Sequence, residues 1–305
     1  MKLNYHELRP IEGGGIVVQS QIEFQIYNFY KEDILSLIAL SASVGWDYDE
    51  DEINTIMSAG TIYGHKTEQG EIISSAALIP YGNKLASIGM VIVNENYRGY
   101  GLGKKVIQAC IDSVPNNVTI MLAATAEGYP LYKKLGFQSV TCIHKLISDN
   151  NNSFYHIKKN HDYDIVPLTD THFNDVHKLD QRAVGADRKL FLKSRIKQAK
   201  QGVVVRAKNG DLIGYGLSIE GPIHLILGPI VALNHDVATH IIHHLATGYK
   251  GKLRIDVPDG QSSFITYLEQ CGFKRVSQPP IMIKNSIQLP RRNGTLYGIA
   301  AQAFG

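Results

Sequence analysis

Only three cysteines occur in this 305-residue chain, and Cys110, Cys142 and Cys271 lie far apart inside apolar segments. Their number and spacing exclude a disulfide framework and match no zinc pattern, so buried free thiols are expected. An excess of one charge is also missing. Thirty-one Lys+Arg against 28 Asp+Glu leave a formal net charge of +3, and no basic run with interleaved aromatics occurs. Nucleic acid is therefore not an expected partner. No apolar run approaches the roughly 18 residues of a membrane-spanning helix. The opening stretch MKLNYHELRPIEGGG has no apolar signal region, so the expected location is cytoplasmic, away from membranes. What is present is an ordinary globular composition, 44% hydrophobic and 19% charged, at a length that suits two domains of about 150 residues.

The most informative stretch is residues 88–114, IGMVIVNENYRGYGLGKKVIQACIDSV. Met90, Val91, Ile92 and Val93 read as a buried strand. Val106, Ile107, Cys110, Ile111 and Val114 then recur at a period near 3.6, as one face of a helix. Between them lies Arg98-Gly99-Tyr100-Gly101-Leu102-Gly103. A helix start leaves amide hydrogens unpaired and carries partial positive charge. Glycines there let an anion approach the main chain, so this strand, turn and helix form a place for phosphate. The run is neither G-x-x-x-x-G-K-[ST] nor G-x-G-x-x-G, which removes the two commonest nucleotide loops.

R-x-x-G-x-G after a strand ending in V-x-V resembles the acyl-CoA pyrophosphate turn of the GNAT superfamily of N-acetyltransferases. A second motif, Leu131-Tyr132-Lys133-Lys134-Leu135-Gly136-Phe137, is similar to that family's L-Y-x-K-x-G-F and lies at the expected distance. The order strand, two helices, three strands, helix, strand, helix, strand matches the family over residues 22–147. An extension precedes it over 1–21, and a polar linker follows over 148–160. The pattern then repeats over 161–305, with Gly272-Phe273 one domain length beyond Gly136-Phe137. The expected fold is thus α+β, a mixed α/β architecture of two tandem GNAT domains. Each would have a mostly antiparallel central sheet flanked by helices.

The second copy lacks the chemistry. Leu233-Asn234-His235-Asp236 stands where the first has its arginine-glycine turn, and Leu268 stands at the place of Tyr132. The chain resembles tandem GNAT proteins whose C-terminal half is degenerate, and that half is expected to shape the acceptor site.

The resemblance implies acetyl-CoA as cosubstrate. Val91, Ile92 and Val93 would take its pantetheine arm, and Arg98, Gly99, Tyr100, Gly101, Leu102, Gly103 and Lys104 its pyrophosphate. It implies direct transfer to a primary amine of a small molecule or peptide, and the sequence supplies no obvious nucleophile. Tyr132 matches the family's general acid. Glu127, near where the acceptor enters, is a candidate base, although a helix-start glutamate suits the macrodipole equally well. Trp46 and Asp47 open an acidic stretch that would seat a cationic amine by charge and cation–π contact. Asp49 and Glu52 in the same stretch also have the spacing of a helix capping box. His240, His243 and His244 read as a solvated helix face, and no metal is expected. A non-catalytic acyl-CoA-binding protein is the alternative function.

Overall fold

Strand-period and helix-period segments give the same succession of elements twice. The computed structural model describes residues 24–149 and 162–305, so the extension over 1–21 and residues 150–160 of the linker lie outside it. The first half comprises β1 (Ile26–Phe29), α1 (Ile34–Ser43), α2 (Glu50–Ala59), β2 (Thr61–Lys66), β3 (Ile72–Tyr81) and β4 (Leu85–Val93). It continues with α3 (Leu102–Asp112), β5 (Thr119–Ala123), α4 (Tyr129–Lys134) and β6 (Gln138–Ser148). The second half comprises β7 (Tyr163–Pro167), α5 (Phe173–Val184), α6 (Lys189–Gln198), β8 (Gln201–Ala207), β9 (Leu212–Glu220) and β10 (His224–Ala232). It ends with α7 (His235–Ala246), β11 (Lys252–Pro258), α8 (Ser262–Gln270), β12 (Lys274–Ser277), β13 (Pro280–Lys284) and β14 (Leu296–Gly298).

Among the described residues one continuous sheet runs β1-β2-β3-β4-β5-β13-β6-β11-β10-β9-β8-β7, with β12 added on β6 and β14 on β10. The order is a palindrome about the β13–β6 contact. The sheet is mostly antiparallel; β4–β5 and β10–β11 are its parallel pairs. The mixed α/β class expected from the sequence is therefore found. One expectation is corrected: residues 138–147 do not simply close the first half. From Ile143 to Ser148 β6 pairs with β11, while over Gln138–Cys142 it pairs with β13 of the second half, which lies between β5 and β6. Each half thus lends a strand to the other.

The helices divide between the two faces of the sheet. Residues of α1, α2, α5 and α6 share one core that spans both halves. On the opposite face, α3 and α4 cover the first half, and α7 and α8 cover the second. Four charged residues, Asp180, Arg188, Arg195 and Asp256, are at most 1% exposed. Arg188 is fully buried and grips Asp180 with two hydrogen bonds of 2.8 Å, while its third nitrogen reaches the Gly305 carbonyl at 3.4 Å. Asp49 caps α2 by accepting from the Glu52 amide at 2.8 Å. The expected capping box does not form, because the Glu52 carboxylate turns to Arg195 and Gln198 of α6.

In the last segment, residues 295–305, only Leu296–Gly298 is strand, paired with β10 of the second half. The chain then crosses to the first half. There Ser87 Oγ donates to the Ala303 carbonyl at 2.8 Å and the Tyr81 hydroxyl to the Phe304 carbonyl at 2.6 Å. Packing explains the crossing. Phe304 is fully buried against Phe191, with ring centroids 4.6 Å apart, and Gly89 leaves no side chain in the way of Ala303.

Candidate active site

The site begins with a fault in β4. Its register against β3 slips between Ser75 and Ala77, so Met90 and Val91 together face Ala76, and Met90 takes a left-handed φ of 50°. The extra residue reverses the alternation of faces: Ile88 belongs to the α3 side of the core, whereas Met90 and Ile92 belong to the α1 side. Such a conformation in a residue other than glycine is held only where its surroundings enforce it. Here Ser75 Oγ donates to the Met90 carbonyl at 2.8 Å. On its other edge β4 pairs with β5 only from Leu85 to Ser87, after which the two strands separate. From Ile88 to Val93 that edge has no strand partner among the described residues. Val91 and Val93 are half-exposed there, and Ile92 is buried.

At the end of this open edge stands the glycine turn. Gly99 and Gly101 have φ of 88° and 75°, and a side chain at either would meet nothing within 4 Å. α3 starts at Leu102 with Gly101 as its cap, which offers no side-chain acceptor, and the first helical bond runs from the Lys105 amide to Gly101. The six amides from Gly99 to Lys104 therefore find no main-chain acceptor among the described residues. Arg98 is solvent-exposed, 3.6 Å from Glu95, a contact too hydrated to hold it in place. Lys104 is exposed on the first turn, and Tyr100 is exposed with its ring edge-on to Phe24. Of the residues predicted to take the pyrophosphate, Leu102 has a buried side chain, and the others present two exposed cations beside amides that have no main-chain acceptor among the described residues.

A cavity of about 230 Å³ lies beside the bulge, between the two halves. Gly89, Met90 and Val91 form its floor and Tyr132 one wall. Trp46 and Asp47 line it from the α1–α2 connection, together with Tyr48, Asp49 and Glu52. The second half adds Gln198, Glu220, Arg254 and Gln302, and β6 adds Lys145. Tyr132 is 5% exposed, packs its ring against Phe137, and makes no hydrogen bond through its hydroxyl among the described residues. Gly128, one helical turn back, makes room for it, since a Cβ there would come within 2.7 Å of the ring. Burial pushes the Tyr132 phenol up to about 12. Burial raises the Tyr48 phenol as well, with Glu52 adding to the effect.

The structure does not bring Glu127 to this cavity. It is exposed in the turn before α4, and Thr125 is the residue of that turn that lines the cavity. The turn closes with the Gly128 amide on Thr125 Oγ1, which leaves Glu127 pointing into solvent. Lys145 and Arg254 went unnoticed in the sequence. The only available signal was R-x-D in the otherwise apolar strand KLRIDVP.

The second half has the same framework with its openings closed. β10 also bulges, between Leu227 and Ile230, at the Gly228-Pro229-Ile230 that aligns with Gly89-Met90-Val91. But β14 occupies the gap between β10 and β11. Its residues pair with Ile230 and Val231, and the Ile299 amide donates to the Asp256 carbonyl. The helix start is closed too, by Asn234, whose side chain accepts from the Val237 amide at 3.0 Å.

Two other polar groups involve histidine. His240 is not simply solvated, because its Nδ1 lies 2.8 Å from the Tyr163 hydroxyl. Cys142, His144 and Asp259 converge with donor atoms within 4.8 Å of one another. His144 meets both neighbours through the same nitrogen, so the three do not form a nucleophile relay.

Comparison with known proteins agrees with this architecture. Residues 27–137 match the model of the acetyltransferase (GNAT) family, and residues 176–298 match that of an acetyltransferase (GNAT) domain. An uncharacterized N-acetyltransferase of Bacillus subtilis (strain 168), YitH, is 36% identical over 282 residues, 92% of this chain and 98% of its own. A crystal structure of a Pyrococcus horikoshii protein superposes with a TM-score of 0.77 at 21% identity, covering 99% of both chains. A tandem GNAT protein from the clavulanic acid biosynthesis pathway superposes at 0.64 with 13% identity, over 87% of this chain and all of its own. The chain belongs to the GNAT acetyltransferase family and carries two such domains in tandem.

Proposed function

We propose that the first half transfers the acetyl group of acetyl-CoA directly to a primary amine, in the cavity between the halves. The observation that carries this reading is the run of unpaired amides from Gly99 to Lys104 beside an unpaired strand edge that leads to Tyr132. Amides at a helix start bind a diphosphate by charge-assisted hydrogen bonds of roughly 1.5–3 kcal/mol each. The edge of β4 from Ile88 to Val93 offers main-chain groups to the amide-bearing arm of the cosubstrate, as an added strand would use them. At the bulge, a main-chain amide freed from the ladder is suited to polarise the thioester carbonyl. Tyr132 donates its hydroxyl proton toward the departing sulfur. The second half contributes walls and no second cosubstrate site, because β14 and Asn234 fill the corresponding places.

A lysine-like amine costs about 4.6 kcal/mol to neutralise at pH 7. Trp46 and Asp47 at the mouth receive it, and solvent water, which reaches the cavity past the exposed Asp47, takes up the proton it loses. A binding protein without turnover is the rival reading, and a buried phenol with no bond of its own at the wall favours the enzyme. Thiol release from acetyl-CoA over a panel of primary amines tests the proposal. At least one amine should raise release well above the rate without acceptor. Tight CoA binding with no acceptor-dependent release across the panel would support the rival.

A further inference from the structure

We propose that the wall of this cavity built by β6 and β11 binds a carboxylate on the acceptor, so that the acceptor is an amino-acid-like zwitterion and not a polyamine. The inference rests on the acetyl-transfer reading for its substrate, but its geometry stands independently.

Sheet register brings the charges together. Asp256 of β11 lies opposite Lys145 of β6, and Arg254 is two residues along the same face. Asp256 is completely buried and already engaged. One of its oxygens takes Arg254 at 2.8 and 3.0 Å, and the other takes Gln302 Nε2 at 3.0 Å. Lys145 is left over. It is half-buried and lines the cavity, with no hydrogen bond or ion pair within the described residues. Burial and then the nearby Arg254 make its ammonium harder to keep charged, and the fields of Asp256 and Asp47 offset this only in part. A half-buried cation without a hydrogen-bonded counterion is costly in the free protein, and an anion entering from the cavity reduces that cost.

The acidic lining narrows the choice. Glu52 is held by Arg195, Glu220 by Lys200, and Asp49 by the amide it caps. Asp47 at the mouth has no such partner among the described residues. The cavity therefore presents one uncommitted charge of each sign, Asp47 on one side and Lys145 on the other. An acceptor carrying both an ammonium and a carboxylate satisfies both. A polyamine would set a second cation against Lys145.

The test uses matched acceptors that differ by one carboxylate: ornithine and putrescine, lysine and cadaverine, phenylalanine and phenethylamine. O-phosphoethanolamine and ethanolamine form the phosphate arm. In at least one pair the carboxylate member should be preferred at least about tenfold in kcat/KM, the size expected of one buried charged contact. In Lys145→Met that ratio should collapse to within about twofold of unity. Preference for the amine members throughout overturns the assignment. So does a ratio that survives Lys145→Met, or a preference for O-phosphoethanolamine over every carboxylate. A second readout needs no turnover. Removing an uncompensated charge should raise the melting temperature of Lys145→Met by about 2 °C. A fall would mark Lys145 as a structural partner of Asp256 and sink the anion site. If no acceptor is acetylated at all, the acetyl-transfer reading fails, and the melting temperatures still decide the anion site.

Discussion

Tyr132→Phe should lower the acetyl-transfer rate by about 10²-fold or more, close to 2.7 kcal/mol of transition-state stabilisation, with affinity for acetyl-CoA nearly unchanged. The phenol makes no hydrogen bond that folding needs, so its loss removes a proton donor and leaves the packing of the ring on Phe137 intact. An ordinary thiol titrates near 8.5, and a phenol held near 12 is a much weaker acid. The mismatch is smaller than it looks, because a thiolate formed in the same dry pocket is destabilised by the same burial. Burial raises the Cys110 thiol in this protein for that reason. The required form of Tyr132 is the protonated one, which is lost only as pH rises through about 12. Its deprotonation should therefore impose no alkaline fall in turnover between pH 7 and 10, and the Phe variant should be slower by a constant factor across that range. Stopped-flow or steady-state thiol release measures both. A Phe variant with unchanged turnover would remove Tyr132 from the chemistry.

Arg195→Met should destabilise the fold by about 3–5 kcal/mol, the largest stability effect expected of any single change at the junction of the halves. Arg195 is completely buried on α6. It donates to Glu52 of α2, to Gln198 Oε1 at 2.8 Å and to the Ala300 carbonyl at 2.7 Å. Gln198 extends the network to Glu52 at 3.0 Å and to the Thr55 hydroxyl at 2.8 Å. One guanidinium thus ties the first half, the second half and the last segment together. Its removal leaves the buried Ala300 carbonyl without its donor and the Glu52 carboxylate, 13% exposed, with only Gln198 among the described residues. Urea unfolding should show a lower midpoint for Arg195→Met, with part of the loss recovered when Glu52→Gln removes the stranded charge. The non-additivity should exceed about 1 kcal/mol. Equal losses in the single and double variants would mean that Glu52 rehydrates through the cavity and that the network contributes little.

Local structure around the glycine turn was legible in the sequence. The stripe Val106, Ile107, Cys110 and Ile111 is the buried face of α3, and the glycines before it mark a helix start without a capping side chain. The loss of those glycines in the second half was legible too, and Asn234 now caps the helix in their place. Pairing between distant strands was not legible. The alternation in β6 says which residues are inside, but not that β11 and β13 are its neighbours. β13 is a short run behind Pro279-Pro280, and proline pairs ordinarily signal a connection. Proline is tolerated at the first residue of a strand, and that is how Pro280 enters the sheet. The bulge at Met90 was hidden because every residue around it is apolar, so a change of face leaves no mark on the pattern. Lys145 and Arg254 were missed for the same reason as the strand exchange. On isolated strands they look like solvated positions, and only the register of β6 on β11 turns them toward the cavity.

In the proposed reaction one stretch of bare main chain in the first half holds the cosubstrate and the second half holds none. A crystal structure of the full chain grown with CoA tests it most directly. The account predicts one CoA per chain, its diphosphate on the amides of Gly99 to Lys104, its amide arm along β4 and its sulfur near Tyr132, with β14 still seated between β10 and β11. A ligand lodged in the second half, or a glycine turn left empty at saturating CoA, would contradict it.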